Sequence, residues 1–538
     1  MIKRLLSYQS RSITGAAVIL GLASLFSRLI GILRDRLFAH SFGAGEILDA
    51  YHAAFRIPDT LYTLIIVGAI SAGFIPVLTE LLQKDKKEAK RVTRSLATLS
   101  SLVLFLGCGA LFFLSPWLVQ IMTPGFDKQT LELTIVLTRV MLASPVILGL
   151  SAIVSGILQT YRAFFVFALT PIMYNLGIIL GNLVLVPRIG PVGLAYGVVL
   201  GALLHLCIQI PSFYHYGFSL RLSLEIWQTA IKKIVKLMIP RTLGLAAAQL
   251  NFVAITVFSS TLNTGSLAIF HFANNLQSLP VGMIGVSFAL ATFPALSTCI
   301  VKNDKEQFIT SLAISIRQIL FFIIPLTVLF ILLRAQIVRV VLGSGAFDWN
   351  DTIQTADTLR LFALSLFAQS LIPILARAFF ALEDTWTPFL TTVIGTLVTV
   401  LLAHWYVSHF GILGIALAFS IGMVVQCILL WFSLRHKLGT LHEHSLIIFL
   451  TKVSIAALPM ALVTQKLKEP LAAIVDMQRF WGIFTQGLVA GLSGIFVFLV
   501  VCQCLRLEEL QEFHGALKKR WFRQKPLPFD IPQEDITS

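Results

Sequence analysis

Charge is what this sequence has least of. Only 12% of its 538 residues are Asp, Glu, Lys or Arg, while 57% are hydrophobic; soluble domains carry about 25% charged and about 45–50% apolar residues. A soluble chain of this length would divide into domains joined by polar linkers, and instead apolar stretches recur from end to end. Cysteine is sparse as well. Cys108, Cys207, Cys299, Cys427, Cys502 and Cys504 lie in or beside apolar runs, and the Cys502–Cys504 pair has neither a second pair nor a nearby histidine. That excludes a disulfide scaffold and argues against zinc; the thiols read as small buried hydrophobes. There is no glycine-rich nucleotide loop and no polar stretch large enough for an ATPase domain. No nucleophile elbow or paired-carboxylate arrangement stands in the few polar loops.

What is present is a series of apolar spans, about 14 of them, each near the ~20 residues that cross hydrocarbon. They fall at roughly 14–40, 47–82, 95–122, 130–160, 163–187, 191–214, 238–262, 266–300, 308–333, 352–382, 386–408, 411–435, 445–465 and 479–505. The expectation is an all-α polytopic membrane protein. Basic residues precede the first apolar run, but Arg28, Arg34 and Asp35 interrupt that run, so a cleaved signal peptide is not expected.

The net charge of +15 sorts by side. With an inside start and 14 spans, the cytoplasmic loops receive Lys84, Lys86, Lys87, Lys90, Arg91, Arg94, Lys232, Lys233, Lys236, Lys302, Lys305, Arg435 and Lys437. They also receive Lys3, Arg4 and Arg11, and Arg506, Lys518, Lys519, Arg520, Arg523 and Lys525 of the tail. The other side receives scattered charges such as Lys128, Arg188, Arg334, Arg339, Lys466 and Lys468. That asymmetry is the positive-inside rule and sets both termini in the cytoplasm. No basic stripe is interleaved with exposed aromatics, so no nucleic-acid partner is expected.

An internal repeat divides the chain. Phe74-Ile75-Pro76-Val77-Leu78-Thr79 matches Thr292-Phe293-Pro294-Ala295-Leu296-Ser297, pairing Pro76 with Pro294. At nearly the same offset, Thr170-Pro171 recurs as Thr387-Pro388, and Gly190-x-x-Gly193-Leu194-Ala195 as Gly411-x-x-Gly414-Ile415-Ala416. An even number of spans per repeat makes the repeats parallel. The expected architecture is two six-helix lobes around a central cavity, 1–214 and 238–440, with two further helices in 441–505 and a cytoplasmic tail in 506–538. Between the lobes, in 215–237, Leu222, Ile226, Trp227, Ala230, Ile231, Ile234 and Leu237 recur at helical spacing against Glu225, Gln228, Lys232, Lys233 and Lys236. This reads as an amphipathic linker helix on the cytoplasmic surface.

Ionisable residues inside spans are costly and ask for a partner or a hydrated cavity. They are densest in the first two spans: Arg28, Arg34, Asp35, Arg36, Asp49, His52 and Arg56. Arg28 and Asp35, two turns apart, share a helix face. Arg28 and Arg34 read as lining a cavity for an anion, for which arginine's planar, permanently charged fork is suited; Arg36 reads as interfacial. Arg241 and Arg377 are secondary candidates, and Arg139 is explained as well by helix pairing. His52, His205, His271 and His404 lack metal-ligand spacing and read as polar contacts between helices. The prolines Pro58, Pro76, Pro145, Pro171, Pro280, Pro294 and Pro388 serve either static packing or bends that let lobes rock.

The run Ser27-Arg28-x-x-Gly31-x-x-Arg34-Asp35, followed by Phe42-Gly43-Ala44-Gly45, Asp49-Ala50 and Phe55-Arg56-Ile57-Pro58, resembles the MurJ (MviN) family of lipid II flippases. That family sits within the multidrug/oligosaccharidyl-lipid/polysaccharide exporter superfamily. Gln277-Ser278-Leu279-Pro280-x-Gly282, Gly345-Ala346-Phe347 and Arg377-Ala378-Phe379-Phe380-Ala381-Leu382 extend the resemblance, which covers about residues 14–435. It implies a 14-helix, two-lobe transporter, not an enzyme, in the bacterial inner membrane. The implied cargo is undecaprenyl-pyrophosphate carrying the peptidoglycan disaccharide–peptide, moved outward by alternating access. Membrane lipids and the cell-wall synthesis machinery are the implied surroundings. No cofactor is implied beyond a coupling ion or the membrane potential, which favours outward movement of an anion by about 2.3 kcal/mol per charge per 100 mV.

The resemblance also places Arg28, Arg34 and Asp35 in the cavity-forming first helix and the last two spans beside a groove for the polyprenyl tail. The chain departs from the family where arginines and a glutamate often follow the Phe-Arg-Ile-Pro run, here Tyr62, Thr63 and Val67, and where an arginine often stands in span eight, here Asn274-Asn275. The expected phosphate-binding set is therefore rebuilt on Arg28, Arg34 and Arg56 with amide help from Asn275, beside Asp35 and Asp49. A related exporter of another polyprenyl-linked glycan or of drugs is the alternative; a drug exporter would favour cavity carboxylates. A membrane glycosyltransferase would need catalytic acids in a large outer loop, and a non-transporting scaffold would use the charged tail.

Overall fold

The computed structural model describes residues 13–67, 73–161, 163–219, 223, 225 and 229–510. Among them all regular structure is helical. The first half holds α1 (Ile13–Phe42), α2 (Glu46–Tyr62), α3 (Ile75–Lys84), α4 (Lys86–Met122), α5 (Lys128–Met141), α6 (Ala143–Thr160), α7 (Phe164–Leu180), α8 (Val186–Ile189), α9 (Val192–Cys207) and α10 (Ile210–His215). Then come α11 (Thr229–Ser260), α12 (Ser266–Pro280), α13 (Ser287–Val301), α14 (Lys305–Leu332), α15 (Arg334–Leu342), α16 (Trp349–Ala363), α17 (Leu366–Ala381), α18 (Trp386–Leu438), α19 (Glu443–Ile474) and α20 (Phe480–Cys504). By length and composition, nine helices among the described residues can cross a membrane, or ten if α16 and α17, bent by 47° where they meet, form one span. The short α15 had no counterpart among the expected spans.

α18 is too long to be one span: 53 residues would reach about 80 Å, against ~30 Å of hydrocarbon. Gly411 breaks it, with φ 56° and ψ −133°, a left-handed conformation that a side chain would strain. At the turn before α18, Asp384 accepts hydrogen bonds from Thr387 N (3.0 Å) and Oγ1 (2.6 Å) and pairs with Lys437. Burial raises its pKa, but these donors and the lysine charge outweigh that and hold it at about 2.

The burial pattern is that of a protein whose solvent is lipid. Phe113, Leu401 and Phe496 are 78%, 69% and 68% exposed, while Thr134, Thr138, Ser151 and Thr358 are at 0%. Small hydroxyl residues allow close helix approach and discharge their hydrogen bonds onto their own helix, as Thr134 does to the Thr130 carbonyl at 2.7 Å and Thr138 to that of Thr134 at 2.8 Å. The tightest contact joins the end of α7 to α9. Gly177 and Gly181 lie against Gly197 and Gly201, and a Cβ built on Gly197 would stand 2.8 Å from the Gly181 Cα.

Among the described residues, π-helix stands at Thr63–Val67 after α2, at Gly181–Leu185 after α7 and at Val281–Val286 after α12. The first and third are offset from each other as Pro76 is from Pro294, and each lies just ahead of its proline motif. Wide turns of this kind bend helices and often mark functional positions.

The expected linker helix is described in part. Leu222, Ile226, Trp227 and Gln228 lie outside the described residues, as does the tail from residue 511. Ile231 and Ile234 are both buried in one apolar cluster with Phe74, Val77 and Val92. Lys233 pairs with Glu80 at 2.9 Å, and Glu225 with Arg91. The apolar stripe thus docks on α3 and α4, and its helix continues unbroken to Ser260. Replacing Gly197 with Val is expected to force α7 and α9 apart at a cost of about 1–3 kcal/mol, read as a lower unfolding temperature of the detergent-purified protein.

Candidate binding cavity

α1 runs between the two halves of the chain, and its polar residues divide between them. Arg34 Nε and Nη2 donate to Asp35 Oδ1 at 3.0 and 2.8 Å, and Nη1 donates to Asn175 Oδ1 on α7 at 3.0 Å. From α12, Asn275 Nδ2 donates to Asp35 Oδ2 at 2.9 Å. Both carboxylate oxygens are therefore engaged, one by each half. Arg28 Nη1 reaches the Ser278 carbonyl at 3.5 Å, and its guanidinium lies against Gly282 in the π-helical segment, where any side chain would collide with it.

These residues surround a cavity of about 150 Å³ walled by Ile32, Phe272, Leu276, Leu279 and Leu342. Two guanidinium groups face one carboxylate in it, leaving a surplus positive charge within low-dielectric walls. Asp35 and Asn175 fix the Arg34 guanidinium by engaging all three of its nitrogens, so an anion beside it would share or replace Asp35. That arrangement suits an anion with several oxygens, such as a phosphate or pyrophosphate, which accepts parallel hydrogen bonds from arginine.

The other expected site residues go elsewhere. Arg56 does not line this cavity; its Nη2 lies 2.5 Å from His271 Nε2 and its guanidinium sits 5.0 Å from the Phe252 ring centre. His271 stacks on His52 at 4.2 Å. Asp49, expected beside an anion, is instead a cap: its oxygens accept from Gly265 N (2.6 Å) and Ala268 N (2.8 Å) at the start of α12. Free amides at a helix N-terminus attract a carboxylate, so a residue read as a cavity charge is a joint between halves. Arg377 donates to its own helix at the Pro373 carbonyl, 3.2 Å. Arg241 lies on α11, but its side chain falls outside the described ones.

Arg36 donates to the Val340 and Val341 carbonyls of α15 at 2.5 and 3.2 Å and lies 5.3 Å from the Phe480 ring centre. Arg139 meets Ser115 at 3.1 Å, and His205 meets Ser151 at 2.7 Å, both helix-to-helix contacts. Among the described residues no group of His, Cys, Asp and Glu could hold a metal ion. Sequence reasoning missed Asn175 and the Ser278 carbonyl. An asparagine in an apolar helix is a visible signal, whereas a backbone acceptor leaves none.

Packed membrane-spanning helices around a small charged cavity define a multi-pass membrane protein of transporter type. The family described as "Lipid II flippase MurJ" matches residues 38–483, and the chain belongs to it. A probable lipid II flippase MurJ of Buchnera aphidicola subsp. Acyrthosiphon pisum is 30% identical, over 86% of this chain and 90% of its own length. That of Vibrio cholerae is 28% identical, over 93% and 98%. A solved lipid II flippase MurJ in an inward closed conformation superposes with a TM-score of 0.75 at 25% identity, covering 94% of this chain and all of that one. An inward-facing multidrug resistance MATE transporter of the MOP superfamily shares the fold, with a TM-score of 0.66 at 18% identity over 80% of this chain.

Replacing Asp49 with Ala would leave the Gly265 and Ala268 amides unsatisfied. A loss of about 1–3 kcal/mol is expected, seen as earlier thermal unfolding, and Asp49→Asn, which keeps one acceptor, should lose less.

Proposed function

We propose that this protein is a lipid II flippase, carrying undecaprenyl-pyrophosphate-linked peptidoglycan precursor from the inner to the outer leaflet of the bacterial inner membrane for cell-wall synthesis. It is a transporter and not an enzyme. Membership of the family carries the substrate class; the observation in the molecule that supports it is the pair Arg28 and Arg34, brought to one cavity with Asp35 and Asn275. In this reading Arg28 and Arg34 bind the pyrophosphate. Asp35 and Asn275 position Arg34, and Arg56 and Asp49 act in the joint between halves. Arg241 and Arg377 stay secondary.

The chain reads as 14 spans with both ends in the cytoplasm: lobes at 1–214 and 238–440, a linker at 215–237, two more helices in 441–505 and a tail in 506–538. Support comes from the basic residues clustered at alternate helix ends, from the Gly411 break and from the π segments at equivalent places in the two repeats. The last two helices, reached by Arg36 through Phe480, are read as the wall of a groove for the polyprenyl tail. A partnership with cell-wall synthases follows from where the product emerges.

A cavity of about 150 Å³ has room for a pyrophosphate but not for a disaccharide–peptide, so the halves must part to admit the head group. Contacts between the halves are frequent beyond the end of α1: Asp49 with Gly265 and Ala268, Asp351 with the Ala44 amide at 3.1 Å, and Ala346 N with the His40 carbonyl at 2.9 Å. In the proposed topology these form the outer seal. Alternating access then opens the inner side first, and breaking the seal later frees the head group outward. The inward closed conformation of the superposed flippase fits this state.

Depleting the protein in a strain without a redundant flippase should strand lipid II on the inner leaflet, and re-expression should restore it. Normal outer-leaflet lipid II after depletion would overturn the proposal. Arg28→Ala and Arg34→Ala, present in the membrane at wild-type amounts, should each fail to complement. Asp35→Asn should be milder, since the amide still accepts from Arg34.

A further inference from the structure

A second cationic cavity shares no lining residue with the first. It lies between α4, α6 and the segment after α10, has a volume of about 100 Å³, and is lined by Arg94, Thr98, Ser101, Ser219 and Phe213, with apolar wall from α6. No carboxylate lines it. The Arg94 Nε and the Ser219 hydroxyl are both shielded from solvent without a hydrogen-bond partner among the described residues. Buried donors are normally satisfied, and a buried guanidinium nitrogen left unpaired is costly. Lys90, one turn earlier on α4, carries its ammonium to the rim beside Gly217.

The second half of the chain holds a cavity at the corresponding place, where the repeat offset sets Ala313 opposite Arg94 and the arginine stands one turn further along the helix. α4 begins at Lys86 and α14 at Lys305, an offset close to that of the repeat. On α14, Arg317 lines a cavity of about 90 Å³ with Trp431 and Ser445. There the chain brings its own anions: Glu508 and Glu509, just beyond α20, stand 3.7 and 3.3 Å from the Arg317 guanidinium. Among the described residues no ion pair involves Arg94, and Glu225, in the segment after α10, pairs with Arg91 one turn earlier on α4.

We propose that the cavity at Arg94 is a binding site for a phosphate group, seated on Arg94 with Ser101 and Ser219 as hydroxyl donors and Lys90 at its rim. The phosphate comes either from the diester of an anionic membrane phospholipid or from free phosphate. In the topology proposed above, Arg94 lies at the inner-leaflet head-group level, and the apolar α6 wall suits the start of an acyl chain. The site is separate from the cargo cavity on α1, so its occupancy is testable whether or not lipid II is the cargo.

The experiment uses the full-length protein in nanodiscs and in detergent. Phosphatidylglycerol binding is followed by native mass spectrometry against phosphatidylethanolamine, and inorganic phosphate binding by thermal shift. Arg94→Gln should weaken phosphatidylglycerol binding on the order of tenfold, and Arg94→Lys should restore part of it. Ser101→Leu, which fills the cavity and keeps the arginine, should match the loss, so a folding defect of one variant cannot mimic the result. If inorganic phosphate stabilises the wild type but neither Arg94→Gln nor Ser101→Leu, and phosphatidylglycerol shows no preference, free phosphate is the ligand. Equal binding of both probes by wild type, Arg94→Gln and Ser101→Leu overturns the proposal.

Discussion

A guanidinium within the membrane must place its hydrogen bonds on the same protein, on water or on what the protein carries. The arrangement around α1 obeys that constraint. Arg34 takes one partner beside it, Asp35, and one from the first half, Asn175; Asp35 takes a second donor, Asn275, from the other half. Removing the carboxylate would leave a part-buried arginine uncompensated, and removing the arginine would do the same to the carboxylate, each far worse than losing both. The pair is thus both a fixture that aims Arg34 and a tie between halves. An anion entering the cavity competes with Asp35 for Arg34 and so loosens the tie it sits beside. In the proposed function, cargo binding and separation of the halves would be linked through this one carboxylate.

Much of this was legible in the sequence because membrane spans write themselves in composition. Long apolar runs and the opening Arg28–Asp35 pattern sufficed for class and family, whereas the proline motifs, read as packing or bends, did not disclose the π-helical segments ahead of them. What the sequence could not convey was direction in space. Asp49 and Asp35 look alike as acids in apolar surroundings. One caps α12 and the other holds an arginine, and only the approach of α12 distinguishes them. The linker poses a related question: a stripe such as Ile231 and Ile234 records that a face is covered, not whether lipid or protein covers it. Here the cover is α3 and α4, and the salt bridges Lys233–Glu80 and Arg91–Glu225 pin it there.

The π segments join these two levels. A π turn widens the helix, leaving a carbonyl without its usual partner and a gap on one face. In the helix that continues from α12 the gap is at Gly282, where the absent side chain gives room to the Arg28 guanidinium. The same irregularity that makes space for a cation also makes that helix easier to bend, because fewer regular hydrogen bonds resist it. Its counterpart at Thr63–Val67 carries no arginine and touches α11 instead, where Thr242 donates to the Leu64 carbonyl at 3.2 Å.

That asymmetry between repeats is informative about what each half does. If the bends served packing alone, the two halves would satisfy them alike. Instead one repeat fits its irregular turn around a charged side chain of α1, and the other ties it to the first helix of the opposite half. Arg94 and Arg317, one turn out of register by the repeat offset, differ as well: Arg317 pairs with Glu508 and Glu509, and Arg94 lines a cavity without a carboxylate. Duplication supplied two equivalent scaffolds; the charges that break their equivalence sit where ligand or chain must enter. A fold hosts different functions through the sites built on it, so in the proposed function it is these few unequal charges, rather than the helices that hold them, that would select the cargo.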